Sequence, residues 1–248
     1  MKKKCLILIF SFISLYCVAQ KTDTINSEIP YHKPTFLLKN KALPIAVGIV
    51  GLGVALEYSN SDKHWWQNKY SFQNKVRENF PGFSTRSDDY LRYAPLALAV
   101  GMNISKNKAE HRIIGQLARL ISAQIIMDAT VNQMKKKFKH LRPNGHSYTS
   151  FPSAHTAQAF LSARFLDKEF GKEHNWVRWL GYGMAATTGA CRILNNSHWV
   201  SDVLVGAGIG VLSVDLTYWL FDKLGNKKLM IAPIAGKDMY GINLVYRF

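Results

Sequence analysis

The chain has 248 residues, 48% of them apolar, which suits one helical domain or one domain with small additions. A formal net charge of +16 points to an anionic partner: a phosphate ester, an anionic membrane surface or nucleic acid. Nucleic acid ranks last, because no zinc-knuckle spacing or aromatic–basic repeat is present, and a mean hydropathy of −0.08 is low for a chain that mostly spans lipid.

Residues 1–19 read as a secretory signal peptide. Lys2, Lys3 and Lys4 form a basic start, Leu6 to Val18 is a short apolar stretch, and Ala19 suits cleavage before Gln20. An uncleaved anchor and a lipidated Cys17 are the alternatives. Cleavage leaves Cys191 alone, so packing and not a disulfide must hold the fold. Residues 20–92 read as an N-terminal helical lead-in. Within it, Ala42 to Tyr58 is almost uncharged and reads as a buried helix or a short membrane helix. The aromatic, polar stretch after it suits an interfacial segment or half-buried helices with a turn at Pro81-Gly82, and the second is preferred.

Tyr93 to Ile104 is an apolar run. Arg112 to Met134 has helical spacing, with Ile113, Leu117, Leu120, Ile121 and Ile125 on a common side. Residues 135–152 are basic, contain Pro and Gly, and read as partly loop. Helices are then predicted at about His155–Phe170, Trp176–Ala190 and Trp199–Leu224. The fold expected is all-α, a bundle of about six core helices. In the tail, 226–248, Tyr240, Ile242, Leu244 and Tyr246 alternate with other residues, which predicts a short C-terminal β-hairpin with Met230–Ala235. One hairpin cannot close an outer-membrane barrel.

Three short motifs follow one another. Lys135 is followed after six residues by Arg142-Pro143. Pro152-Ser153-Ala154-His155 comes next. Arg192 is followed after five residues by His198 and after three more by Asp202. This ordered set resembles the type 2 phosphatidic acid phosphatase family, related in fold to bacterial acid phosphatases and vanadium haloperoxidases. The resemblance covers roughly residues 90–225, so 93–225 is taken as the family domain.

The resemblance implies a phosphatase with no metal and no other cofactor. His198 would be the nucleophile, Asp202 would orient it, and His155 would be the general acid and base. Lys135, Arg142, Ser153, Ala154 and Arg192 would bind phosphate. The residue types suit that work. A phosphoryl group in transfer carries charge on three equatorial oxygens, and catalysis is mainly positioning and neutralisation. Arginine forks match phosphate oxygens in pairs, and a lysine adds a point charge. Ser153 and the Ala154 N–H precede a predicted helix, whose free N–H groups favour an anion. On a helix, Asp202 lies one turn from His198 on the same face.

Two positions depart from the family pattern. Ala154 stands where glycine is usual, and Cys191 where serine is usual. Lys136, Lys137 and Lys139 read as a surface patch for anionic headgroups. His140 and His146 match no motif.

Only eight residues separate Pro143 from Pro152, which leaves little room for a lid. The implied substrates are phosphorylated lipids: lipid A phosphate, polyprenyl diphosphate or phosphatidic acid. The implied place is the cell envelope, facing the periplasm and associated with the membrane surface, with no obligate protein partner. A soluble non-specific acid phosphatase, a vanadium haloperoxidase and a non-catalytic envelope protein are the competing readings.

Overall fold

The computed structural model describes residues 42–59, 64, 66 and 68–225, and the backbone of 229–236 and 239–246. The expected signal peptide and residues 20–41 of the lead-in lie outside these residues. Eight helices are present among the described residues: α1 (Ala42–Tyr58), α2 (Lys69–Asn79), α3 (Ser87–Leu91), α4 (Ala94–Ile104), α5 (Ile113–Phe138), α6 (Ala154–Phe170), α7 (Asn175–Leu194) and α8 (Val200–Gly225). The fold class is all-α, as expected. After α8 the backbone runs as β1 (Leu229–Gly236) and β2 (Met239–Tyr246), paired antiparallel. The side chains of these strands lie outside the described residues, so the fold class rests on the helices alone.

The centre of the bundle is α6, which packs on α4, α5, α7 and α8. Ser153 starts it as N-cap, its hydroxyl accepting from Thr156 N–H. Such a cap is worth about 1 kcal/mol. Leu161, Leu166 and Phe170 of α6 are fully buried. Each contributes roughly 1.5–3 kcal/mol by leaving water.

Two glycines set how closely α8 approaches α6. A Cβ on Gly206 would sit 2.5 Å from the Ser153 carbonyl oxygen, and one on Gly210 would sit 2.3 Å from that of Ala157. No side chain fits there, so the two helices meet backbone to backbone. This contact brings the start of α6, with His155, beside the start of α8, with Asp202.

The apolar stripe of α5 turns out to face outward. Ile113, Ile114, Leu117, Ile121 and Ile125 are exposed, while Gln116, Ala123, Met127 and Val131 are buried. Ile45, Val47 and Leu52 of α1 and Val100 and Ile104 of α4 are exposed as well. Among the described residues one helix, α8, is long and apolar enough to cross a membrane, and most of it is buried inside the bundle. A core helix of a water-soluble bundle has the same properties.

The interior is correspondingly polar. Arg164 donates from Nε and Nη2 to Asp215 at 3.0 and 2.7 Å, and from Nη1 to Asp167 at 2.7 Å. Lys168 lies 3.0 Å from Asp215, and Arg178 donates to Asp167 at 2.7 Å. Asp215 is fully buried and Arg164 nearly so.

Two boundaries differ from the expectation. The last turn of α5 runs on through Lys135 to Phe138, so Lys135 sits on a helix and not in a loop. Lys139 then closes it in a left-handed conformation. In the sequence alone, a lysine run following a long apolar pattern reads as the end of the helix, whereas lysine is a good helix former and complements the C-terminal dipole. His198 precedes α8, so it and Asp202 do not share one helix.

Candidate active site

The three motifs meet at one end of the bundle. Lys135 comes from the last turn of α5, Arg142 from the loop after it, His155 from the first turn of α6, and Arg192 from the last turn of α7. His198 and Asp202 flank the start of α8. The second and third motifs are tied directly, because Ser153 N–H donates to the Asp202 carbonyl at 3.0 Å. The backbone N–H of His198 in turn donates to the Arg192 carbonyl at 3.3 Å.

Asp202 has two tasks. Its Oδ2 accepts from the Trp199 N–H at 2.9 Å and from the Ser150 hydroxyl. Trp199 is the residue just before α8, so this is the return half of a capping box. The same oxygen lies 3.4 Å from His198 Nδ1. That is ion-pair distance without hydrogen-bond geometry, since His198 Nδ1 has no hydrogen-bond partner among the described residues. The one-turn spacing on a shared helix predicts a tighter pair. The contact is looser because His198 lies outside the helix.

His198 is buried, and burial pushes its imidazole down to about 4, although Asp202 opposes the shift. It is therefore neutral near pH 7, with a lone pair to offer. His155 is also pushed below its usual value, by burial first and by Arg192 next, and Asp89 opposes this.

The cations gather around these two rings. Burial and then the Arg142 charge pull Lys135 down to about 8. Burial and then Arg192 lower Arg142. Lys135 and Arg142 also act electrostatically on His198. Lys135 donates to the Thr149 carbonyl at 2.5 Å. The Nε atoms of Arg142 and Arg192 are buried and have no acceptor among the described residues. Buried guanidinium donors without an acceptor are costly unless an anion completes them. Ser153 is fully buried, and its oxygen is engaged as the cap of α6, accepting from the Thr156 N–H and hydroxyl. Ala154 is the first residue of that helix and is partly exposed. Cys191 is a partly buried free thiol next to Arg192. Lys136, Lys137, Lys139 and His146 are exposed.

Several residues escaped the sequence reading. Asp88 of α3 is fully buried and accepts from Arg192 Nη1 at 2.5 Å and from Asn195 Nδ2 at 3.2 Å. Asp89 accepts from His155 Nε2 at 2.8 Å. Glu57, in the nearly uncharged α1, is buried and binds Lys69, accepts from the Ser201 hydroxyl at 2.6 Å, and lies 3.0 Å from His140 Nδ1. The His140 ring also packs on Phe138 and Phe151, so it belongs to the scaffold. The available signal was a pair of acids after Ser87 in a basic chain and a lone Glu in an apolar run. Neither has a partner close in sequence.

Residues 117–226 match the PAP2 superfamily. A lipid A 1-phosphatase of Porphyromonas gingivalis is 36% identical over 160 residues, covering 62% of this chain and 36% of that protein. The bacitracin transport permease protein BcrC of Bacillus licheniformis is 34% identical over 112 residues, covering 45% of this chain and 51% of that protein. A lipid A 1-phosphatase of Helicobacter pylori is 23% identical over 184 residues, covering 70% and 84%. The chain thus spans only about a third to a half of the length of the first two relatives. The matched segment carries all three motifs that converge here, and it is this segment, residues 117–226, that belongs to the PAP2 superfamily.

Proposed function

We propose that this chain is a metal-independent phosphatase of the cell envelope, acting on phosphate monoesters or diphosphates of lipids through a phosphohistidine. The observation that carries the reading is the pair of buried, acceptor-free guanidinium Nε donors of Arg142 and Arg192 beside a neutral His198. Together with Lys135 they form a trap for a phosphoryl group.

With Nδ1 of His198 turned to Asp202, Nε2 is left to attack phosphorus. A P–N bond forms as the bond from phosphorus to the leaving oxygen breaks, and His155 gives that oxygen a proton. Asp202 offsets the positive charge on the phosphorylated ring. His155, now neutral, takes a proton from water as the water attacks phosphorus. The P–N bond breaks, inorganic phosphate leaves, and both rings return to their first state.

The substrate we propose is lipid A phosphate, in line with two relatives named lipid A 1-phosphatase. The exposed apolar residues of α1, α4 and α5 support membrane association, since apolar side chains left on the outside in such number suit a lipid or protein contact. The exposed Lys136, Lys137 and Lys139 suit anionic headgroups beside the site. The reading has the site face the periplasm, as the expected secretory signal implies.

Purified protein given lipid A, polyprenyl diphosphate and phosphatidic acid in detergent is expected to release phosphate fastest from lipid A, with or without a chelator. Loss of activity in chelator would overturn the metal-independent mechanism. Equal rates on lipid and small soluble esters would favour a non-specific acid phosphatase.

A bell-shaped pH profile is also expected for kcat/KM on an alkyl phosphate, once the substrate's own ionisation is accounted for. Activity should rise through about pH 4 as His198 loses its proton. It should fall again below the ordinary histidine value of 6.5, where His155 loses the proton it must donate. Above about pH 8, where Lys135 loses its charge, KM should rise as well. A flat profile between pH 4 and 8 would remove the paired histidines from the mechanism.

A further inference from the structure

The acid and base His155 has its own carboxylate partner, and that partner lies outside the segment that matches the family. Asp89 belongs to α3, and its Oδ1 sits 2.8 Å from His155 Nε2. The two residues are 66 positions apart in the chain. The matched segment begins at residue 117. Asp88, the preceding residue, holds Arg192 through Nη1. One turn of helix therefore presents two successive carboxylates, one to a phosphate-binding arginine and one to the acid and base. Packing of α3 on α7 and α6 fixes both.

We infer that Asp89 is a positioning residue for His155, so that the site contains two histidine–aspartate pairs and not one. The inference rests on the phosphatase reading above. Nε2–H of His155 is committed to Asp89, which leaves Nδ1 to exchange the proton with the leaving oxygen and then with water. The charged groups that act on His155 are Asp89, Arg92 and Arg192. Asp88 also lies close by, but Arg192 and Asn195 already engage its two oxygens. Asp89 is therefore the carboxylate left to hold a proton on His155 against burial and two arginines. The pairing also fits the chemistry of the leaving group. An alkoxide leaves poorly without a proton, whereas p-nitrophenolate leaves without one.

The test compares Asp89→Asn with the parent enzyme on an alkyl phosphate and on p-nitrophenyl phosphate, with Asp89→Glu as the conservative variant. Asp89 is half-exposed, so these variants are expected to fold, and circular dichroism checks that. Asp89→Asn should lower kcat on the alkyl ester by about tenfold to a hundredfold, part of what a general acid supplies. On the nitrophenyl ester the loss should stay under about threefold. KM should hold, and Asp89→Glu should recover much of the rate. The His155 ring titration, followed by NMR, should move to lower pH in Asp89→Asn. Equal losses on both esters would overturn the inference, as would an unmoved titration. So would a rise in activity with a lower KM, which would make Asp89 a plug that substrate must displace. If the parent enzyme hydrolyses no phosphate ester, the proposed function fails, and the NMR titration still decides whether Asp89 governs His155.

Discussion

Replacing His198 with alanine is expected to lower turnover by at least about a thousandfold on every phosphate ester the enzyme accepts. The size follows from the step that is lost. Without the ring, no P–N bond forms, and water must attack phosphorus directly with only the cations of the trap to help. The protein should remain folded, because alanine leaves the α8 cap between Asp202 and the Trp199 N–H in place. Substrate affinity should change little, since Lys135, Arg142 and Arg192 are untouched. Quenching the parent enzyme during turnover of a substrate labelled in its phosphate should trap label on protein that is stable to base and labile to acid. His198→Ala should trap none. Turnover within about tenfold of the parent would remove His198 as nucleophile.

The second large effect concerns stability. Asp215 lies 13 positions beyond Asp202, which is about 20 Å along α8 at the helical rise. Replacing it with alanine should destabilise the fold by about 3–5 kcal/mol, because the Arg164 charge would stay buried without its main partner. Lys168 would lose its contact too. Replacing Arg164 with methionine and Asp215 with leucine together should restore most of the loss, since an apolar pair of similar volume carries no desolvation cost. Urea midpoints in detergent measure both. The folded fraction of either variant should turn over normally, because the network is remote from the phosphate trap. A loss under about 1 kcal/mol in Asp215→Ala would mean that water reaches the network.

The histidines, the arginines and Lys135 were singled out because the order and spacing of three short motifs resemble those of a known family. The helical class was legible from the period of the apolar residues. The outward face of α5 was not. A stripe of isoleucine and leucine has the same period whether it meets protein or lipid, and only the opposite face, with Gln116, Ala123 and Met127 buried, settles which side is inside. The interior ion network was equally hidden, because Arg164 and Asp215 are 51 positions apart.

The linear chain by itself determined which groups are available: two imidazoles, three cations and a carboxylate near the start of the last helix. It also determined that they would sit in a helical fold. The tertiary structure alone decided what those groups meet. Gly206 and Gly210 let α8 lie on α6 and so bring the start of α6, with His155, beside the start of α8, with Asp202. Asp88 and Asp89 reach Arg192 and His155 across 104 and 66 positions. Local pattern is a property of neighbours along the backbone, whereas the partner of a charge is set by which helices pack together, and packing is a property of the whole fold.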